Sequence, residues 1–282
     1  MKNLFNKILF IIEVIKDKLI LSHHTIVMQF FKRLIKNTLK ELNRKIILEE
    51  DYISIDAQKL KNSFNSKIDF KKSINIEDLL SYFSKNYKDS KSQLMQDLFV
   101  NYILNKNDGF FVEVGACDGL VLSNTFFLEK NKNWTGILCE PAEFWHKKLS
   151  ENRPNCIIEK KPIFNDSQKQ VNFSTQKGGR SYIDNNNKDL ISMGSISLNQ
   201  LFSKHDVNKI DYLSVDTEGS EYEILSSLDY KKYKPTIITV EHNYKKINRN
   251  KIFFLLKKNN YSRIFKSISR FDDWYIQDSF KR

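Results

Sequence analysis

The sequence is poor in cysteine. Its three residues, Cys117, Cys139 and Cys156, show no CxxC spacing and no paired histidines beside them. That excludes a disulfide framework and a structural zinc site, and it fits a reducing, cytoplasmic compartment. Only 4 Pro and 8 Gly occur in 282 residues and no internal repeat is present, which excludes collagen-like, low-complexity and solenoid classes. Long apolar runs are missing too. In the N-terminal segment the longest, Ile8–Ile12, is cut short by Glu13, Lys16, Asp17 and Lys18, whereas a spanning helix needs roughly 20 mostly apolar residues. No small-residue cleavage site follows, so the segment is expected to be retained, not removed as a signal peptide.

What is present is a composition that builds a core: 40% hydrophobic and 13% aromatic residues, enough for one domain of about two hundred residues with an appendage. The net charge of +12 is unevenly spread, with +5 over residues 1–50, +8 over residues 245–282 and −1 between them. Lys, Asn and Ile are abundant together, a mixture that an AT-rich genome produces without selection for binding. Leu4, Ile8, Ile11, Ile15 and Leu19 recur at helical spacing, and Phe30, Leu34 and Leu42 mark a second amphipathic stretch. Residues 1–50 are therefore expected to be an amphipathic helical appendage, packed on the core or on another subunit, or lying on an anionic membrane surface. Residues 51–90 are polar and read as a linker with a short helix at Ile76–Phe83, leaving residues 91–282 as the main domain.

From Ser92 onward, helical patterns alternate with short β-branched runs, which argues for an α/β fold: a mostly parallel sheet with helices on both faces. The pattern predicts strands at Phe110–Val114, Thr135–Glu140, Asn155–Glu159, Asp211–Asp216 and Thr236–Glu241, with a further one at Gln170–Ser174. Helices are predicted at Gln93–Leu104, Ser123–Asn131, Pro141–Asn152, Glu221–Leu228 and Asn250–Asn259. Tyr261–Lys266 and Trp274–Gln277 should form a terminal antiparallel pair. The polar stretch Thr175–Ser195 reads as a lid or substrate loop.

Chemistry concentrates where strands end. In Phe110-Phe-Val-Glu-Val-Gly-Ala-Cys-Asp-Gly119 a hydrophobic strand runs into a turn bearing Gly115 and Gly119, and in an open parallel sheet the ligand lies at such carboxyl ends. The spacing is neither G-x-G-x-x-G nor that of a P-loop. Glu140 ends the next strand, 21 positions after Gly119, where a carboxylate can take both hydroxyls of a ribose. Together these imply a nucleoside cofactor, and the missing phosphate-binding glycines favour S-adenosylmethionine over NAD. A third segment, Asp211-Tyr-Leu-Ser-Val-Asp216-Thr-Glu218-Gly-Ser-Glu221, leaves its strand with three carboxylates in six positions. Glu221 suits a helix N-terminus. A fourth, Thr236-Ile-Ile-Thr-Val-Glu241-His242-Asn243, brings an acid and a histidine to the same rim.

These segments, with Ser92-Gln-Leu-Met-Gln-Asp97, Leu122-Ser-Asn-Thr-Phe126 and Gly136-Ile-Leu-Cys-Glu-Pro141, resemble the FkbM family of S-adenosylmethionine-dependent methyltransferases over about Ser92 to Gln277. The resemblance implies a Rossmann-like methyltransferase fold and methyl transfer, usually to a hydroxyl of a sugar or a polyketide-type product. Cys117 stands where the family commonly has Asn or another small polar residue.

Strand-end geometry assigns Glu113, Gly115, Asp118 and Glu140 to the cofactor, with Asn124 meeting its carboxylate from the start of the next helix. A neutral hydroxyl is a poor nucleophile and needs a base. Asp216, Glu218 and His242 are the candidate catalytic residues, His242 for its ordinary pKa near neutrality. A divalent metal on Asp216, Glu218 and Glu241 is chemically reasonable, but a metal-free site is the favoured expectation. The expected acceptor is a hydroxylated small molecule or glycan, without nucleic acid, in a cytoplasmic protein that touches membranes at most through its N-terminal helices. The competing readings are a nicotinamide-dependent oxidoreductase and a non-enzymatic membrane- or nucleic-acid-binding module.

Overall fold

A computed structural model describes residues 76–165, 170–174, 182–187, 190–266 and 269–281. The appendage expected over residues 1–50, and most of the linker after it, lie outside the described residues. Two units are distinguished. One contributes helix α1 (Ile76–Asn86), and the other, Tyr87–Phe280, carries everything that follows.

In chain order the second unit runs α2 (Gln96–Leu104), β1 (Phe110–Val114), α3 (Phe126–Lys132), β2 (Thr135–Cys139), α4 (Glu143–Asn152) and β3 (Ile157–Glu159). It continues with β4 (Gln170–Phe173), β5 (Ile191–Gly194), α5 (Leu198–Lys204), β6 (Tyr212–Val215), α6 (Glu221–Ser226), β7 (Ile237–Glu241), α7 (Lys246–Lys258), β8 (Tyr261–Ile264) and β9 (Asp272–Gln277). Seven strands form one sheet in the order β3-β2-β1-β6-β7-β9-β8. β3, β2, β1, β6 and β7 are mutually parallel, and β9 runs antiparallel to both its neighbours. This is the Rossmann-like methyltransferase fold. The strand order reverses between β1 and β6, and such a switch point opens a crevice at the carboxyl ends of the strands.

The central strands are apolar because both faces of the sheet are covered. Every residue of β6 (YLSV) and β7 (IITVE) is buried. Val112, Val114, Leu213, Val215, Ile238 and Val240 pack with Leu201, Phe202, Ile224, Leu225, Ile252 and Leu256 in one core. Phe99 of α2 stacks on Trp274 of β9 with ring centroids 4.7 Å apart. Each such side chain contributes about 1.5–3 kcal/mol by leaving water.

Several element boundaries differ from expectation for local reasons. α2 begins at Gln96, not Gln93, because Met95 adopts a left-handed conformation (φ 62°) and the Ser92 hydroxyl accepts the Gln96 N–H at 2.9 Å. α3 begins at Phe126, not Ser123, because Ser123, Asn124 and Thr125 all donate to Glu113. α4 begins after Pro141 because Glu140 takes the Ala142 N–H at 2.7 Å. Gln170–Phe173 is a strand but pairs outside the main sheet with β5, which lies inside the stretch expected to be a loop. α5 was not anticipated; Ser197 and Gln200 form a reciprocal capping box at its start, which satisfies two otherwise unpaired N–H groups.

Candidate active site

Register aligns the site. Val114 pairs with Cys139 and with Val215, and Val215 pairs with Val240. The next residue of each chain segment, Gly115, Glu140, Asp216 and Glu241, therefore leaves the sheet in a single row across β2, β1, β6 and β7. Four sequence positions 25 or more apart meet at one rim.

On the β1/β2 side the carboxylates are occupied by the protein itself. Glu113 is buried and accepts from Ser123 Oγ at 3.0 Å, Asn124 N at 2.7 Å and Thr125 Oγ1. Burial raises its pKa against the pull of Arg153. These bonds hold the start of α3. Asp118 Oδ1 accepts from Leu120 N at 3.0 Å and Val121 N at 2.8 Å, closing an Asx-type turn. Gly115 has φ +93°, and a Cβ there would lie 1.9 Å from the Asp216 carbonyl oxygen. The backbone of β6, not a ligand, is what first demands glycine at this position. Glu140 Oε1 and Oε2 accept from Ala142 N and from Cys117 N at 2.9 Å, so its orientation is fixed while lone pairs remain. Asn124 Nδ2 donates to Ser214 Oγ at 3.0 Å, whereas its buried Oδ1 has no protein partner. The Cys117 thiol is held neutral by burial and by the surrounding carboxylates.

Arg153 organises this side. It is fully buried at the end of α4. Nη1 donates to Gly119 O at 3.0 Å and Ser123 Oγ at 3.1 Å, Nη2 donates to Thr125 Oγ1 at 3.0 Å, and Nε pairs with Glu129. Glu113 lies 4.0 Å from its guanidinium. Sequence reasoning missed it, because an arginine in the polar run Glu151-Asn-Arg-Pro-Asn155 looks like a surface residue.

The β6/β7 side is built differently. Glu241 donates a hydrogen bond to Asp216, and burial raises both pKa values. The neighbouring charges of Asp216 and Glu218 push Glu241 up further, while the hydrogen bond it donates offsets part of the rise in Asp216. The pair therefore retains a proton at neutral pH. Asn243 Nδ2 donates to Glu218 Oε2 at 3.1 Å and to Glu241 Oε2 at 2.6 Å. Both Glu218 (φ 59°) and Asn243 (φ 46°) hold left-handed conformations to reach this arrangement. Glu221 is turned into its own loop, accepting from Gly219 N at 2.7 Å and from Thr217.

His242 does not join the rim. It is 2% exposed, its Nδ1 accepts from Tyr244 N at 3.0 Å, and Nε2 lies 3.8 Å from Asp273 Oδ1. Burial lowers its pKa, so the ring is neutral and enclosed. The structure places the candidate base beneath the row formed by Gly115, Glu140, Asp216 and Glu241, against Tyr244 and Asp273. Among the described residues no group of three or more His, Cys, Asp or Glu is arranged to hold a metal ion; the Asn243 amide sits between Glu218 and Glu241 instead.

The family model of the methyltransferase FkbM domain matches residues 113–274. The chain belongs to the FkbM methyltransferase family. Among solved structures, it is similar to the methyltransferase FkbM from Methylobacillus flagellatus (12% identity, 69% of this chain and 59% of that one covered, TM-score 0.40). It is also similar to a putative caffeoyl-CoA O-methyltransferase from Staphylococcus aureus (11% identity, 79% and 100% covered, TM-score 0.42). No curated protein matches the chain. Membership of the FkbM family implies S-adenosylmethionine as the methyl donor, in preference to a nicotinamide cofactor.

The residues present fit that cofactor. Glu140 offers an oriented carboxylate for a ribose diol, and Asn124 Oδ1 is a buried acceptor suited to a donor such as an ammonium group. No helix among the described residues is long and apolar enough to cross a membrane.

Proposed function

We propose that this FkbM protein methylates a hydroxyl group of a sugar, on a glycan or glycolipid precursor. The observation that carries the reading is the hydrogen-bonded Asp216–Glu241 pair at the rim, one strand from the cofactor loop. S-adenosylmethionine, when bound, supplies an electrophilic methyl group, and Glu140 and Asn124 are the residues that would hold its ribose and amino-acid ends. The acceptor hydroxyl must lose a proton as it attacks. Asp216 is the group suited to receive it: its carboxylate accepts from Glu241, and its raised pKa makes it a stronger base than an ordinary aspartate. Glu241 keeps the pair at a single negative charge. Glu218, oriented by Asn243, offers a further acceptor for a neighbouring sugar hydroxyl, and diols suit a carboxylate-lined rim. Positioning of the hydroxyl supplies the remaining acceleration.

Isothermal titration with S-adenosylmethionine and with NAD, with and without magnesium, tests the first half of the reading. Binding of S-adenosylmethionine alone is expected. Transfer of labelled methyl to a panel of sugar nucleotides, lipid-linked sugars and amines tests the second half. Labelling confined to amines would overturn hydroxyl methylation while leaving the cofactor assignment intact.

A further inference from the structure

We propose that the outer face of α7 is a docking surface for an anionic lipid bilayer. The helix buries Ile252 and Leu256 in the core. On its solvent side Ile247 and Phe254 are 76% and 65% exposed, the two most exposed large hydrophobic side chains among the described residues. They stand seven positions apart, so they lie on one stripe. Lys251 and Lys258 continue that stripe at i+4 from each, and Lys245 and Lys246 stand at its start; all four are exposed.

Charge complementarity names the occupant. No Asp or Glu occurs between His242 and Phe271, whereas nine Lys and Arg do. Two of those cations are neutralised within the fold: Arg249 makes a two-pronged contact with Asp273 at 2.6 and 2.9 Å, and Arg263 adds another at 2.9 Å. Arg249 thus fastens the helix to β9, and the lysines of its outer face are left exposed. Lys251 lies 5.2 Å from the Tyr222 ring yet remains exposed. A nucleic acid would use the lysines and leave Ile247 and Phe254 without an apolar partner. An anionic bilayer uses both, the side chains entering the headgroup boundary while the lysines meet lipid phosphates. The same helix follows β7 by way of His242–Lys245, and a Cβ on Gly219 would come within 3.5 Å of Lys245 Nζ. Docking through α7 therefore holds the β6/β7 rim beside the bilayer. The surface stands on its own observations and does not depend on which acceptor the enzyme uses.

The test is sedimentation of the full chain with vesicles of phosphatidylcholine alone and of equal parts phosphatidylcholine and phosphatidylglycerol. Binding to the anionic vesicles only, weakening as salt is raised, is expected. Replacing Ile247→Glu together with Phe254→Glu should weaken that binding by about tenfold or more. Lys251→Glu with Lys258→Glu should do the same through the electrostatic component. Thermal unfolding of each variant checks that the exposed positions leave the fold unchanged. Undiminished binding in both double variants would overturn the proposal and shift the contact to residues 1–50. Equal binding to neutral vesicles, or no binding of the unaltered protein to either, would overturn it as well.

Discussion

The two halves of the rim use acidic side chains in opposite ways. Around β1 and β2, Glu113 and Glu140 have donors on both carboxylate oxygens, from backbone N–H groups or hydroxyls, and Asp118 has two backbone donors on one. Arg153 ties that loop to α3 and α4 from beneath. Around β6 and β7, Asp216, Glu218 and Glu241 face one another with the Asn243 amide between two of them. Carboxylates that accept several hydrogen bonds become fixed scaffolding, whereas carboxylates that crowd each other hold a proton. The first half is thereby suited to hold a cofactor rigidly and the second to exchange protons. Both begin at the same register row, so the division is one of local chemistry and not of position.

The comparison breaks most sharply at Asp216. Asp216→Asn should lower kcat by about a hundredfold to ten-thousandfold, with S-adenosylmethionine affinity near that of the unaltered enzyme. The unaltered enzyme should lose turnover on acidification as the Asp216–Glu241 pair takes up its second proton, at a pH above the ordinary carboxylate range because both groups are raised. That acidic limb should vanish in the Asp216→Asn variant. Full turnover in the variant, measured by methyl transfer across pH, would remove the pair from the mechanism. On the other half the largest response is expected from Arg153→Met, which leaves Glu113 and Glu129 buried without the guanidinium that serves both. Breaking a buried pair from one side costs about 3–5 kcal/mol, to be read as a lowered unfolding midpoint and as weakened cofactor binding with an unaltered pH profile.

The contrast also explains what could be read from the chain beforehand. Strands that pass from Val, Ile and Leu straight into an acid, as at Cys139-Glu140, Val215-Asp216 and Val240-Glu241, announce the carboxyl end of a buried parallel strand. The parallel strands and the row of acids were legible for that reason. What each acid does was not, because its partner comes from elsewhere in the chain. Glu113 is claimed by residues ten to twelve positions later, and Asn243 crosses to Glu218 over a separation of 25. Gly115 reads as room for a ligand until β6 is laid beside it. His242 reads as a candidate base, and its enclosure by Tyr244 and β9 is not visible in the sequence. The pairing of β4 with β5 was hidden by the polar stretch between them, which resembles a loop in composition.

The finest test of the comparison lies in redundancy. Ser123 Oγ donates to Glu113 and accepts from Arg153, but Glu113 keeps two other donors and Arg153 keeps Gly119, Thr125 and Glu129. The Thr125 N–H alone loses its acceptor outright, so Ser123→Ala should cost about 1–3 kcal/mol, less than Arg153→Met. Urea unfolding and titration with S-adenosylmethionine would read it. A loss as large as that of Arg153→Met would mean that the loop hangs on a single hydroxyl, and that the β1/β2 side is as finely poised as the β6/β7 side. A small loss supports a scaffold whose strength is shared among many donors, set against a neighbouring pair in which each carboxyl depends on the other.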